Sequence, residues 1–145
     1  MSELGYLDTS ALAKWYLNEA RSDDVAAFMT RQRAAAISRL TVVEFRCLLA
    51  RRRRSKEIDA RTERRIVSAF TRDVGLGFLE VHPLEDRHAV AAHGMLTRLA
   101  RHPLRTLDSL HLAIACDLGI RLLATADRVM AAAAASLGMT VERFD

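Results

Sequence analysis

Four acids in this 145-residue chain sit where carboxylates are expensive. Asp8 follows Tyr6-Leu7, Glu44 lies in Val42-Val43-Glu44-Phe45, Asp108 in Leu107-Asp108-Ser109-Leu110, and Asp127 just past Leu122 to Thr125. A carboxylate with apolar flanks is costly unless it is paired, protonated or bound to a cation. Clustered hard oxygens suit Mg²⁺ or Mn²⁺ rather than zinc, and Mg²⁺ takes one or two carboxylates while keeping several waters. Such an ion activates a water against a phosphodiester and neutralises the leaving oxygen. No histidine pair has ligand spacing such as HExxH. His88 and His93, five apart, fall on different helix faces and read as surface or satisfied core residues.

Each acid also has a structural role open to it. Thr41 and Glu44 match a capping box. Asp108 and Asp127 stand where a helix dipole favours an anion, and Asp8 can cap the first helix in competition with Thr9 and Ser10. Capping alone requires neither four acids on one edge nor their apolar flanks. Asp117 lies nine residues after Asp108, about half a turn from its face, and reads as a surface residue beside Gly119. His111, three residues after Asp108, lies close to its face; it either packs, the preferred reading, or bonds a carboxylate.

The elements that must position these residues alternate. Short strands are expected at 5–8, 34–38, 78–82, 121–125 and 139–144. Helices are expected at 10–17, 22–32 (capped by Ser22), 41–54, 56–71, 84–100, 106–118 and 127–137, with Gly119 and Gly138 as stops. Strands alternating with helices argue an α/β fold with a parallel sheet covered on both faces. Strand ends then gather on one edge, where ligands bind such sheets, and all four acids are predicted near it. No linker, repeat or low-complexity tract divides the chain, apart from the alanines 131–135, so residues 1–145 read as one domain.

Composition narrows the classes further. Half the residues are apolar and 28% are charged, which excludes a disordered chain, a collagen and a disulfide scaffold. Cys47 and Cys116 read as small buried hydrophobes in a reducing compartment. The longest apolar run, 129–135, is too short for a bilayer, and no basic leader precedes Glu3, so a cytoplasmic protein with no membrane partner is expected. The net charge of +4 rests on twenty arginines and is compatible with a polyanionic partner. Arg46 and Arg105, nearest the acids, are candidates for substrate contact. Arg51 to Arg54 read first as a solvated helix end and second as phosphate contacts. Trp15, Tyr16 and Phe28 form an aromatic group on the first two helices, for core packing or a partner groove.

Four segments resemble, in order, the acidic motifs of PIN domains, and of VapC-type toxins in particular. They are Tyr6-Leu7-Asp8-Thr9-Ser10-Ala11-Leu12, Thr41-Val42-Val43-Glu44-Phe45-Arg46, Arg105-Thr106-Leu107-Asp108-Ser109-Leu110-His111-Leu112-Ala113 and Leu122-Leu123-Ala124-Thr125-Ala126-Asp127. The resemblance covers nearly the whole chain. It implies a five-stranded parallel sheet between helices and a Mg²⁺-dependent (or Mn²⁺-dependent) endoribonuclease that cleaves tRNA, rRNA or mRNA. It implies a VapB-like antitoxin as partner and a homodimer. By motif position Asp8, Glu44, Asp108 and Asp127 would be the catalytic, metal-binding acids, with Thr9, Ser10 and Thr125 as hydroxyl support.

The alternative is a non-catalytic PIN-fold module that binds RNA or a protein partner; the presence of all four acids argues against it. A haloacid-dehalogenase-like phosphatase wants a second acid where Ser10 stands. A receiver domain wants an acid pair before the first helix and a third-strand acid that 78–81 does not supply, offering only Glu80.

Overall fold

The computed structural model describes residues 3–145. In chain order they form β1 (Gly5–Leu7), α1 (Thr9–Tyr16), α2 (Ser22–Arg31), β2 (Ala35–Ser38), α3 (Arg39–Arg54) and α4 (Ala60–Gly75). Next come β3 (Leu79–His82), α5 (Asp86–Arg98), α6 (Thr106–Asp117), β4 (Leu122–Thr125), α7 (Arg128–Ser136) and β5 (Thr140–Arg143). The five strands make one parallel sheet, as the alternation of strands and helices predicts, and their order is β3-β2-β1-β4-β5. β1 is central, and the connections run outward from it in both directions. That reversal opens a crevice at the carboxyl ends of β1 and β4.

The inner strands β1, β2 and β4 are buried on both sides, so adjacent residues serve different layers. Leu7, Ile37, Leu122 and Ala124 pack in the core under α1 to α4. Tyr6, Ala36 and Leu123 pack in the core under α5 to α7. No helix among the described residues is long and apolar enough to cross a membrane.

Helix starts differ from expectation where an unforeseen cap wins. α3 begins at Arg39 because Ser38 Oγ accepts from Thr41 N while Thr41 Oγ1 accepts from Ser38 N. The box is therefore Ser38 with Thr41, not Thr41 with Glu44, and Glu44 falls in the second turn, free of capping. α4 begins at Ala60, where Asp59 takes the amide of Thr62 at 2.7 Å. α2 is preceded by Arg21 in the left-handed region (φ 68°), and Ser22 instead bridges Leu17 O and Glu19 N. Gly119 and Gly138, at φ +68° and +80°, close α6 and α7 as expected. Both cysteines are exposed, contrary to the buried reading. A thiol is small enough that the apolar period of α3 and α6 is complete without it.

The aromatic group also divides. Trp15 and Tyr16 lie beside one another, and Tyr16 stacks with Phe45 and Phe70. Phe28 packs against Phe144 and under Gly5. A Cβ at Gly5 would stand 2.9 Å from Cζ of Phe28, a ring fully enclosed in the core. Gly5→Ala is expected to destabilise the fold by about 1–3 kcal/mol through overpacking. Urea unfolding should show a lower midpoint with an unchanged m-value; an unchanged midpoint would mean the ring moves freely.

Candidate active site

Asp8 is the first residue past β1 and caps α1. Its Oδ1 accepts from Ala11 N at 3.0 Å and from Ser10 Oγ at 2.7 Å, and its Oδ2 accepts from Thr125 Oγ1 at the end of β4. Only 4% of the residue is exposed. Burial pushes its carboxyl above the ordinary value, against the hydrogen bonds from Thr125, Ala11 and Ser10 and the charge of His111. Ser10 Oγ also accepts from Ala126 N, and Thr125 Oγ1 from Asp127 N, so both hydroxyls lock β4 against the start of α1.

Asp108 sits at the third position of α6, buried, with Oδ2 accepting from Arg105 N at 3.0 Å. Asp127 caps α7, its Oδ1 accepting from Met130 N at 2.9 Å. Both helix-end roles open to these acids are thus filled, and neither exhausts the carboxylate. One guanidinium answers both: Arg105 Nε lies 3.6 Å from Asp108 Oδ2, and its Nη2 3.8 Å from Asp127 Oδ2.

Glu44 reaches the same edge from α3. Its Oε1 accepts from Thr9 Oγ1 at 2.9 Å and meets Nε2 of His111. Burial raises its carboxyl, but the hydrogen bond and charge of His111, the Thr9 hydroxyl and the charge of Arg105 outweigh this and hold it below the ordinary value. The packing reading of His111 is therefore incomplete: the ring is buried and bonds a carboxylate as well. Its spacing from Asp108 signalled the shared face, but nothing local signalled Glu44.

Other candidates lie elsewhere. Arg46 is exposed and turns to Glu63 of α4 at 3.6 Å. Arg51 to Arg54 end α3, roughly 10–15 Å farther along the axis than Glu44; there Arg52 binds Glu19 and Glu57, and Arg53 lies 4.0 Å from Glu63. Asp117 is at the far end of α6, taken by Arg87 and by buried His88 at 2.9 Å. His93 is exposed.

Among the described residues, no group of three or more His, Cys, Asp or Glu side chains converges closely enough to enclose a metal ion. The donor set nonetheless fits a hard divalent cation. Oε2 of Glu44 and Oδ1 of Asp108 take no hydrogen bond from the described residues. Mg²⁺ needs only one or two carboxylates beside its waters. Arg105 marks the point where positive charge is stabilised, since it approaches Asp108 and Asp127 and lowers Glu44.

A family model described as PIN domain matches residues 5–136. No curated protein matches by sequence. Among solved structures, the chain is similar to Mycobacterium tuberculosis VapC20, described as a sarcin-ricin loop cleaving toxin. The TM-score is 0.72 at 17% identity, over 94% of this chain and 96% of that one. It is similar to a DNA-bound VapBC from Salmonella typhimurium, at TM-score 0.67 and 18% identity over 99% and 100% of the two chains. VapBC2 from Rickettsia felis, bound to a promoter DNA fragment, gives 0.68 and 16% over 98% and 99%. At these identities the likeness is one of fold.

Asp8→Asn tests the cost of the buried charge, because asparagine caps as well as aspartate. A carboxyl raised in the fold supports stability fully below its unfolded pKa, and that support is lost as pH rises through the folded pKa. The variant should therefore be more stable than wild type at pH 7–8, without metal, with the gap closing as pH falls toward roughly 4. Urea melts across that range with chelator present measure it; a variant less stable at neutral pH would show that the charge is welcome where it lies.

Proposed function

The chain belongs to the PIN-domain family, and on that premise we propose that it is a Mg²⁺-dependent (or Mn²⁺-dependent) endoribonuclease, the toxin of a VapBC-like toxin–antitoxin module. The observation that carries this reading is the placement of Asp8, Glu44, Asp108 and Asp127 along the carboxyl edge, with Asp108 and Asp127 both approached by the single guanidinium of Arg105. Similarity to a sarcin-ricin loop cleaving toxin supports RNA as the substrate class, and similarity to VapBC complexes supports an antitoxin partner. Such a toxin works in the cytoplasm as a homodimer and arrests translation.

The carboxylates that would hold the cation are Glu44 and Asp108 through their uncommitted oxygens, with Asp8 and Asp127 setting the negative potential around them. When bound, the cation supplies an acidified water and neutralises the leaving oxygen. Ser10 and Thr125 fix Asp8, and Thr9 fixes Glu44, so the acids are oriented before substrate arrives. The side chain of Arg105 is 80% exposed, and its planar fork suits a phosphate. A scissile phosphate would draw it from Asp108 and Asp127 and free both acids together. Arg46 joins substrate binding only by leaving Glu63.

The antitoxin surface we assign is the groove between the C-terminal end of α1 and α4, lined by Trp15, Tyr16, Ile58 and Phe78 with Arg61 and Arg65 of α4 exposed. Glu63 of α4 is engaged by Arg46 and Arg53, which leaves Arg61 and Arg65 for an acidic partner. A segment apolar on one face and acidic on the other fits that chemistry.

Asp8→Asn and Asp108→Asn should each abolish metal-dependent RNA cleavage and growth arrest, exceeding the roughly 10–100-fold loss typical of a residue that only supports a ligand. Asp117→Asn should keep both. Cleavage of total RNA by purified protein, with end mapping after induction, decides this; a fully toxic Asp8→Asn chain sinks the mechanism. Charge reversal of Arg61 and Arg65 together should weaken antitoxin binding about tenfold or more without altering RNA cleavage. Calorimetric titration with the antitoxin measures the first, and equal affinity for wild type and variant would remove the groove from the interface.

A further inference from the structure

Tyr6 is buried in the middle of β1, and nothing in the proposed chemistry uses it. Its hydroxyl donates to Ser38 Oγ at 2.9 Å, and its oxygen lies 2.7 Å from His111 Nδ1. The two rings meet edge to face with centroids 5.7 Å apart. The other ring nitrogen of His111, Nε2, meets Oε1 of Glu44. The contacts form a closed path: from the Ser38 cap of α3, through β1 and α6, back to the second turn of α3. With both nitrogens engaged, the imidazole cannot turn without breaking a hydrogen bond. Glu44 comes from the layer of α1 to α4 and His111 from the layer of α5 to α7, so the path also joins the two layers above the sheet edge.

We infer that Tyr6 and His111 are positioning residues that hold the Glu44 carboxylate with Oε1 bound to the protein and Oε2 kept for the site's cation. The inference rests on the reading of the acidic edge as a cation site. A free glutamate on a helix turn samples many rotamers, and ordering it is a cost that must otherwise be met when the cation binds. Thr9 supplies one hydrogen bond to Oε1. His111 supplies the second contact from the opposite layer, and Tyr6 fixes the plane of the ring that makes it. Hydrogen-bonded partners of this kind orient metal ligands, and their loss typically weakens metal affinity or activity by roughly 10–100-fold.

The test uses Tyr6→Phe, which removes one oxygen, and His111→Phe, which fills the ring's space without a hydrogen bond. His111→Gln serves as rescue, because its amide can still donate toward Glu44. Mn²⁺ binding to the purified chain is measured by calorimetry, RNA cleavage by kcat and KM, and folding by urea melts. The expected result is Mn²⁺ affinity weakened about 10–100-fold in Tyr6→Phe and His111→Phe. With it kcat should fall, KM for RNA should stay unchanged, and His111→Gln should recover part of both losses. If Tyr6→Phe binds Mn²⁺ as wild type does and cleaves with unchanged kcat, the path only stitches layers and the inference is overturned. If His111→Phe does not fold, Tyr6→Phe alone decides. A wild type that neither binds Mn²⁺ nor cleaves RNA is a different failure: it removes the cation site itself, and the inference with it.

Discussion

A carboxylate with almost no access to water, at the end of the central strand, is the constraint around which this molecule is arranged. Asp8 takes donors from α1 and from β4, and these can reach it only if β1 and β4 are neighbours in the sheet. The strand order, with connections diverging from β1, is what makes them neighbours. The donors do not fully compensate for lost solvation, since burial still raises the carboxyl. The fold thus keeps a carboxyl whose charged form is short of solvation at the end of its central strand.

Helix ends and the acidic site turn out to be the same device. Asp8 and Asp127 each spend one oxygen on an amide at a helix start, and Asp108 spends one on the amide preceding its helix. A carboxylate tethered in this way loses rotational freedom, and at Asp108 and Asp127 it keeps its second oxygen clear of helix amides. Three helices starting at one sheet edge therefore direct three acids toward it, with Ser10 and Thr125 adding side-chain hydrogen bonds at Asp8. Glu44 is the exception. Ser38 and Thr41 already cap its helix, so it needs Thr9 and His111 to hold it.

The layered fold was legible because the inner strands are short, mostly apolar runs that alternate with helical segments. The edge placement of the acids followed from their positions at strand ends and helix starts. Helix boundaries were less legible where two caps compete in sequence: Ser38 precedes Thr41, and in the fold the two cap α3 together. The engagement of His111 was hidden because its partner lies 67 residues away on another layer. Tyr6 looked like ordinary strand core, and only the fold shows that its hydroxyl is used. Arg105 was legible as a neighbour of the acids but not as the cation shared between two of them. The exposure of Cys47 and Cys116 escaped a reading from periodicity because cysteine counts as apolar whether or not it is covered.

The pairing of β1 with β4 has a consequence for how the molecule is made. Thr125 follows Asp8 by 117 residues, so at roughly 5–20 residues per second a ribosome needs on the order of ten seconds between them. During that interval a nascent chain holds β1, β2 and β3 but lacks the strand that completes the surroundings of Asp8. Two of the four acids, Asp108 and Asp127, also emerge late. A polypeptide stalled or broken before β4 carries the first half of the edge with nothing to close it. Vectorial synthesis thus completes the surroundings of Asp8 only after β4 has been made.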